Sequence, residues 1–152
     1  MAFAQQLSLK GVALRALAAR ELTRAELAGK LKAHLTPETE PALRPLLDEL
    51  EGKGFLSDLR AAQSLVHRRA PKIGTQRVIH ELKSRGTDAQ AVLEATEQLQ
   101  STELERARAV WKKKFGELPT DTQSRGQQMR FLAGRGFSSA SIGKLLKKSS
   151  DE

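Results

Sequence analysis

Gly29-Lys30-Leu31 followed by Lys-Ala-His-Leu35, His80-Glu81-Leu82 followed by Lys-Ser-Arg-Gly86, and Arg130-Phe131-Leu132 followed by Ala-Gly-Arg-Gly136 are three versions of one phrase. Their leucines, Leu31, Leu82 and Leu132, stand 51 and 50 residues apart. Each phrase is the second of three helical segments, so the chain reads as an internal repeat of about fifty residues. A three-helix unit of that length buries its apolar face poorly alone, and stacking supplies the missing partner surface. The fold class expected is all-α: three tandem three-helix repeats stacked into a short curved solenoid. Repeat one spans 7–56, repeat two 57–100 and repeat three 101–148, with a tail at 149–152.

The flanking segments fit that frame. Leu9, Val12, Ala13, Ala16 and Leu17 recur at helical spacing behind a possible cap, Ser8. Thr23-Arg-Ala-Glu26 matches a capping box and opens a helix carrying Leu27 and Leu31. Pro41 and Pro45 cannot both lie inside one regular helix, which places the ordered part of the third helix at about 45–52. In the second repeat, Ser57 or Asp58 caps a helix stopped by Pro71, Gly74-Thr75 opens one ended by Gly86, and Thr87-Asp-Ala-Gln90 is a further capping box. Thr102-Glu-Leu-Glu105 opens the third repeat, with a stripe of Leu104, Ala107, Trp111 and Phe115; Met129, Phe131 and Leu132 mark the next helix, and Ser138 caps the ninth. No alternating apolar run bounded by turn residues signals a strand.

Composition bounds the function. Among 152 residues there is no Cys, which excludes disulfides, thiolate catalysis and zinc ribbons, and points to a reducing, cytoplasmic setting. No apolar run approaches the roughly 20 residues of a membrane helix, and the first residues lack a signal peptide's cationic and apolar regions. The net charge of +8 is unevenly placed: residues 1–58 are neutral, 59–105 carry +1, and 106–152 hold eleven cations against four anions. That asymmetry predicts a polyanionic partner for the C-terminal third.

Enzyme motifs are missing. His34, His67 and His80 lie in separate helices without metal-ligand spacing, and there is no nucleophile elbow, His-Glu-x-x-His or phosphate-binding loop. No catalytic residue, cofactor or metal is expected. Asp48, Glu49 and Glu51 read as solvated charges. Trp111, in an apolar stripe, reads as core rather than a stacking platform. Arg106, Arg108, Lys112, Lys113 and Lys114 wrap the polar side of the Trp111 helix. The phosphate-contacting set predicted from charge is Arg108, Lys112, Lys113, Lys114, Arg125, Arg130, Arg135, Lys144, Lys147 and Lys148, with Arg68, Arg69, Lys72 and Arg77 as secondary candidates. An ordinary solvated face is the competing reading for each.

Four stretches in order, Arg20-Glu-Leu-Thr-Arg-Ala-Glu-Leu-Ala-Gly-Lys-Leu31, Gly52-Lys-Gly-Phe-Leu-Ser-Asp-Leu-Arg60, Gly74-Thr-Gln-Arg-Val-Ile-His-Glu-Leu-Lys-Ser-Arg-Gly86 and Phe131-Leu-Ala-Gly-Arg-Gly-Phe137, resemble the RecX regulatory proteins. The resemblance runs from about Leu7 to Lys148. It implies a non-enzymatic monomer that lies in the groove of the RecA filament on single-stranded DNA, bridges neighbouring subunits and inhibits ATP hydrolysis and strand exchange, modulating recombination and repair. Where many relatives carry two acids after Gly-Phe/Tyr-Leu, this chain has Ser57-Asp58, which keeps a capping role and weakens any acidic contact. The residues themselves leave open a stand-alone helical DNA-binding protein of repressor type, or a protein adaptor without a nucleic-acid role.

Overall fold

A computed structural model describes residues 8–147, so the expectations for Leu7, Lys148 and the tail at 149–152 lie outside the described residues. Those residues form eight α-helices and one short 3-10 turn, with no strand among them: α1 (Leu9–Ala19), α2 (Arg24–Lys32), the turn Glu40–Ala42, α3 (Leu43–Gly52), α4 (Asp58–Arg69), α5 (Thr75–Ser84), α6 (Ala89–Lys114), α7 (Thr122–Gly134) and α8 (Ser139–Leu146). Nine helices were expected. The third helix of repeat two and the first of repeat three are one 26-residue helix, α6, about 39 Å long. Thr102-Glu-Leu-Glu105 has the spelling of a capping box, but nothing between Gln98 and Arg106 breaks the helix. Its amides already have partners one turn back, and the Thr102 hydroxyl turns to the Gln98 and Leu99 carbonyls instead.

Elsewhere the caps follow local chemistry. Ser8, Thr23, Ser57 and Ser138 each accept a backbone N–H at their helix starts, and Thr23 and Glu26 complete the capping box. The cap of α6 is Asp88, not Thr87: its carboxylate accepts the Ala91 amide at 2.8 Å. α3 begins at Leu43, earlier than expected, because Pro45 fits its first turn while Pro41 sits in the preceding 3-10 turn.

Three apolar clusters hold the stack, one in each repeat. They centre on Leu22, Leu27, Leu31 and Leu50, on Leu65, Val78, Leu82 and Leu99, and on Ala107, Leu132, Ile142 and Leu146. The repeat-marking leucines Leu31, Leu82 and Leu132 are each at most 1% exposed, so the phrase that spells the repeat supplies the centre of each cluster. α1 packs on α2 and α2 on α3; α4, α5 and the first half of α6 pack together; α7 and α8 pack on its second half.

Between repeats the joints are polar and sit at helix ends. At the first joint, one oxygen of Asp58 accepts the Arg24 amide at the start of α2, and the other accepts the amide of Asp88, the residue that caps α6, both at 2.8 Å. The Thr23 hydroxyl donates to the Arg85 carbonyl at the end of α5. The second joint repeats this design. Glu103 Oε1 accepts the Thr75 amide at the start of α5, and Oε2 accepts the hydroxyls of Ser138 and Ser141 at the start of α8. The Gly74 amide donates to the Arg135 carbonyl at the end of α7, 2.7 Å away.

Arg106, placed by sequence among the solvated cations, belongs to this joint. It donates to the carbonyls of Ala70, Ile73 and Leu99 and to the hydroxyls of Thr75 and Thr102, tying the end of α4 and the start of α5 to α6. Burial pulls its pKa down, and the charge of Glu103 one turn away opposes that.

Both joints are close: a Cβ on Gly86 at the first would lie 2.6 Å from the Ala25 side chain, and at the second backbone packs directly on backbone. A Cβ on Gly74 would lie 2.2 Å from the Gly136 backbone carbonyl group, whereas one on Gly29, inside α2, would meet nothing within 4 Å. Gly74→Ala is therefore expected to cost about 1–3 kcal/mol or more in urea unfolding, and Gly29→Ala to stabilise by about 0.5–1 kcal/mol.

Glu103 is 9% exposed. Burial raises its pKa, but the hydrogen bonds from Ser141, Ser138 and the Thr75 amide outweigh burial and hold it below the usual carboxylate value. Its contribution is thus present above an unfolded pKa of about 4.3 and lost as pH falls through the lower folded value. Glu103→Gln is expected to be less stable than the parent by about 1–3 kcal/mol at neutral pH. Denaturant titrations from neutral into acid should show that gap closing as the parent's carboxylate protonates; a constant gap would show that its charge does not matter.

Candidate nucleic-acid and protein interface

The ion pairs among the described residues divide the molecule. Lys10 and Lys53 both reach Glu49 at 2.9 Å, Arg24 reaches Asp48 and Glu51, and Arg20, Arg60 and Arg69 pair with Glu26, Glu21 and Glu81. The acids expected to be simply solvated thus join α3 to α1 and α2, and Lys53, then Lys10, hold the Glu49 carboxyl down to about 2. No ion pair among the described residues involves a residue beyond Glu81. The exposed cations of α6, α7 and α8 have no carboxylate partner among the described residues.

Within the predicted set the structure separates several roles. Arg108, Lys112, Lys113 and Lys114 on α6, Arg130 on α7, and Lys144 and Lys147 at the end of α8 are exposed. Three others also serve the fold. Arg125 donates to the Leu146 carbonyl that ends α8, at 3.1 Å. Arg135 donates to the Lys72 carbonyl, and Arg77 donates to the Gly134 carbonyl while its stem lies against Gly136. Arg69 is taken up by Glu81 through two hydrogen bonds. Arg68 and Lys72 are exposed.

Phe131 organises part of the basic surface. It meets Phe115 edge-on with centroids 5.4 Å apart, and Lys114 Nζ and Arg135 Cζ lie 5.5 Å and 5.1 Å from its centroid. This brings Lys114, Arg135 and the neighbouring Lys72 and Lys113 around one cavity of about 550 Å³. Lys72, named from sequence only as a secondary candidate, joins them because it comes from the α4–α5 loop of the preceding repeat. Trp111 lies against the third apolar cluster, and its indole N–H donates to Gln128 Oε1 at 2.8 Å, a buried partner that sequence did not flag. The ring is held in the fold and is not free to stack on a base.

His34, His67 and His80 are exposed and separate, and among the described residues no three His, Cys, Asp or Glu side chains are grouped to hold a metal. No described helix is long and apolar enough to cross a membrane.

Known proteins agree in sequence and in fold. Residues 101–146 match the third three-helix domain of RecX. The chain is 47% identical over 147 residues to the regulatory protein RecX of Leptothrix cholodnii, covering 97% of this chain and 92% of that one. It is 45% identical over 143 residues to the regulatory protein RecX of Ralstonia nicotianae, covering 94% and 89%. The crystal structure of RecX from Lactobacillus salivarius superposes with a TM-score of 0.78 at 17% identity, over 91% of this chain and 92% of that one, which shows the same helical fold. Sharing nearly half its residues with such relatives along almost its whole length, and stacked in the same way, the chain belongs to the RecX family of regulatory proteins.

Proposed function

We propose that this protein regulates the RecA recombinase by lying along the RecA filament on single-stranded DNA, and that it inhibits ATP hydrolysis and strand exchange there. The observation that carries this reading is the division of charge. Among the described residues every ion pair lies between Lys10 and Glu81, while the exposed cations of α6 to α8 have no carboxylate partner. A neutral first repeat suits contact with a protein surface. The basic third repeat suits DNA phosphates or an acidic surface of a neighbouring RecA subunit.

Inhibition follows from bridging. A stack whose joints are fixed by hydrogen-bonded helix ends holds its two contact surfaces at a set separation. It binds most tightly to the filament geometry that matches this separation, and so disfavours the rearrangement that ATP turnover requires. The repeats act as binding surfaces, and no residue is assigned a catalytic role.

The decisive test neutralises four cations that hold no carbonyl of the fold. Lys112→Gln, Lys113→Gln, Lys114→Gln and Arg130→Gln are combined, leaving Arg125 and Arg135 to their carbonyl partners. The expected outcome is at least tenfold weaker inhibition of the RecA ATPase on single-stranded DNA. The salt slope of filament binding should also fall by up to about 3, at roughly 0.7 for each phosphate no longer neutralised. Unchanged binding and inhibition would remove the cationic surface from the mechanism. If the parent protein leaves the ATPase untouched at any ratio but discriminates among duplex sequences, it is a stand-alone DNA-binding protein. Salt-insensitive binding to RecA without DNA would make it an adaptor.

A further inference from the structure

The 550 Å³ cavity around Phe131 does not stand alone. A second cavity of about 420 Å³ adjoins it, and the two share Pro71 and Ala109 in their walls. Together they form one groove that follows a single face of α6 from Gln98 to Lys114, a run of about 24 Å. That length accommodates about seven residues of extended polypeptide. Its opposite wall is the end of α4 with the Pro71–Lys72 loop, and then the end of α7.

The two halves differ in chemistry. In the first, Val66, Ala70, Pro71 and Leu99 give an apolar floor, and the exposed carboxylate of Glu105 stands at the rim. In the second, Val110 and Phe131 form the floor while Lys72, Lys113, Lys114 and Arg135 surround it, with no ion-pair partner for any of the four among the described residues. Apolar floors with a few polar groups at the edge are the ordinary form of a recognition pocket. In the first half the charges of Glu105 and Arg106 offset each other, whereas the four cations of the second half attract an acid.

We infer that this groove binds an acidic-hydrophobic polypeptide segment of a partner protein, with large apolar side chains seated against Val66, Ala70 and Leu99 and carboxylates placed among Lys72, Lys113, Lys114 and Arg135. A nucleic-acid strand fits less well. The Phe131 ring already carries Phe115 at its edge and Lys114 and Arg135 near its centroid, and a strand would leave the apolar half of the groove unused. The apolar anchors supply affinity and the cations supply orientation and on-rate. This inference deepens the reading of the protein as a regulator of another protein, since it gives the chemistry of the segment recognised.

The test uses labelled synthetic peptides and contains no RecA, so its result is independent of the filament assay. Two twelve-residue probes carry a pair of leucines and four aspartates, one with the leucines first and one with them last; in a control the leucines are replaced by serine. One leucine-bearing probe is expected to bind by fluorescence anisotropy, with the serine control at least tenfold weaker. Ala109→Trp plugs the junction of the two cavities at an exposed helical position without changing charge, and is expected to weaken binding at least tenfold. Lys72→Gln with Lys113→Gln should do the same, with helical circular dichroism unchanged in both variants. Failure of both leucine-bearing probes to bind would overturn the inference. It would equally be overturned if the serine control and an oligothymidylate bound as tightly as the peptide and Ala109→Trp had no effect, which would leave a nonspecific polyanion surface.

Discussion

Two carboxylates hold this molecule together in a way that its apolar clusters cannot. Asp58 and Glu103 each stand where two helices begin, and each accepts hydrogen bonds from the starts of both. A helix N-terminus carries unsatisfied N–H groups and the positive end of the helix dipole, so an anion placed at two of them satisfies donors and opposes both dipoles at once. The three clusters are separate, and the principal helix packing occurs within repeats. These clasps set the relation of one repeat to the next, together with the Thr23 to Arg85 and Gly74 to Arg135 bonds and, at the second joint, Arg77, Arg106, Arg135 and the unbroken α6.

That arrangement connects architecture to function. A regulator that reads the spacing of a filament, as proposed above, needs surfaces at a fixed separation, and hydrogen bonds at helix ends set direction as well as distance. The second joint is the more constrained. Backbone meets backbone at Gly74, Arg106 fills the space between α4, α5 and α6, and α6 itself runs through the boundary without interruption. Repeats two and three thereby present the α6 groove and the basic surface as one unit. The first joint, made around Asp58 and Thr23, carries the neutral repeat.

The cations predicted as one phosphate-contacting set do not share one role. Sequence assembles its cations by proximity along the chain, and on that basis Arg125, Arg135, Arg77 and Arg106 look like their neighbours. In the folded protein each caps a carbonyl or ties a loop, because an arginine's long stem and several donors make it the side chain best able to reach exposed helix-end carbonyls. Lys112, Lys113, Lys114 and Arg130, with no such partner, remain available for a ligand. Lys72 joins Lys113 and Lys114 only through the stacking of one repeat on the next.

The amino-acid sequence by itself determined the helical class, the threefold repeat, most of the caps and the leucines at the centre of each cluster, because these rest on periodicity and on neighbours within one helical turn. It also determined where the charge excess lies. The tertiary structure alone decided that α6 is continuous, since a capping box has the same spelling inside a helix as at its start and only the preceding turn tells them apart. It alone revealed the clasps. Their donors recur at the repeat spacing, Arg24 with Thr75 and Asp88 with Ser138, but the acceptors are an Asp and a Glu 45 residues apart, one at a helix start and one within a long helix, so no sequence period marks them. The groove, too, is a property of packing: α6 gives one wall, and the end of α4 with its loop and the end of α7 give the other, brought together only in the folded stack.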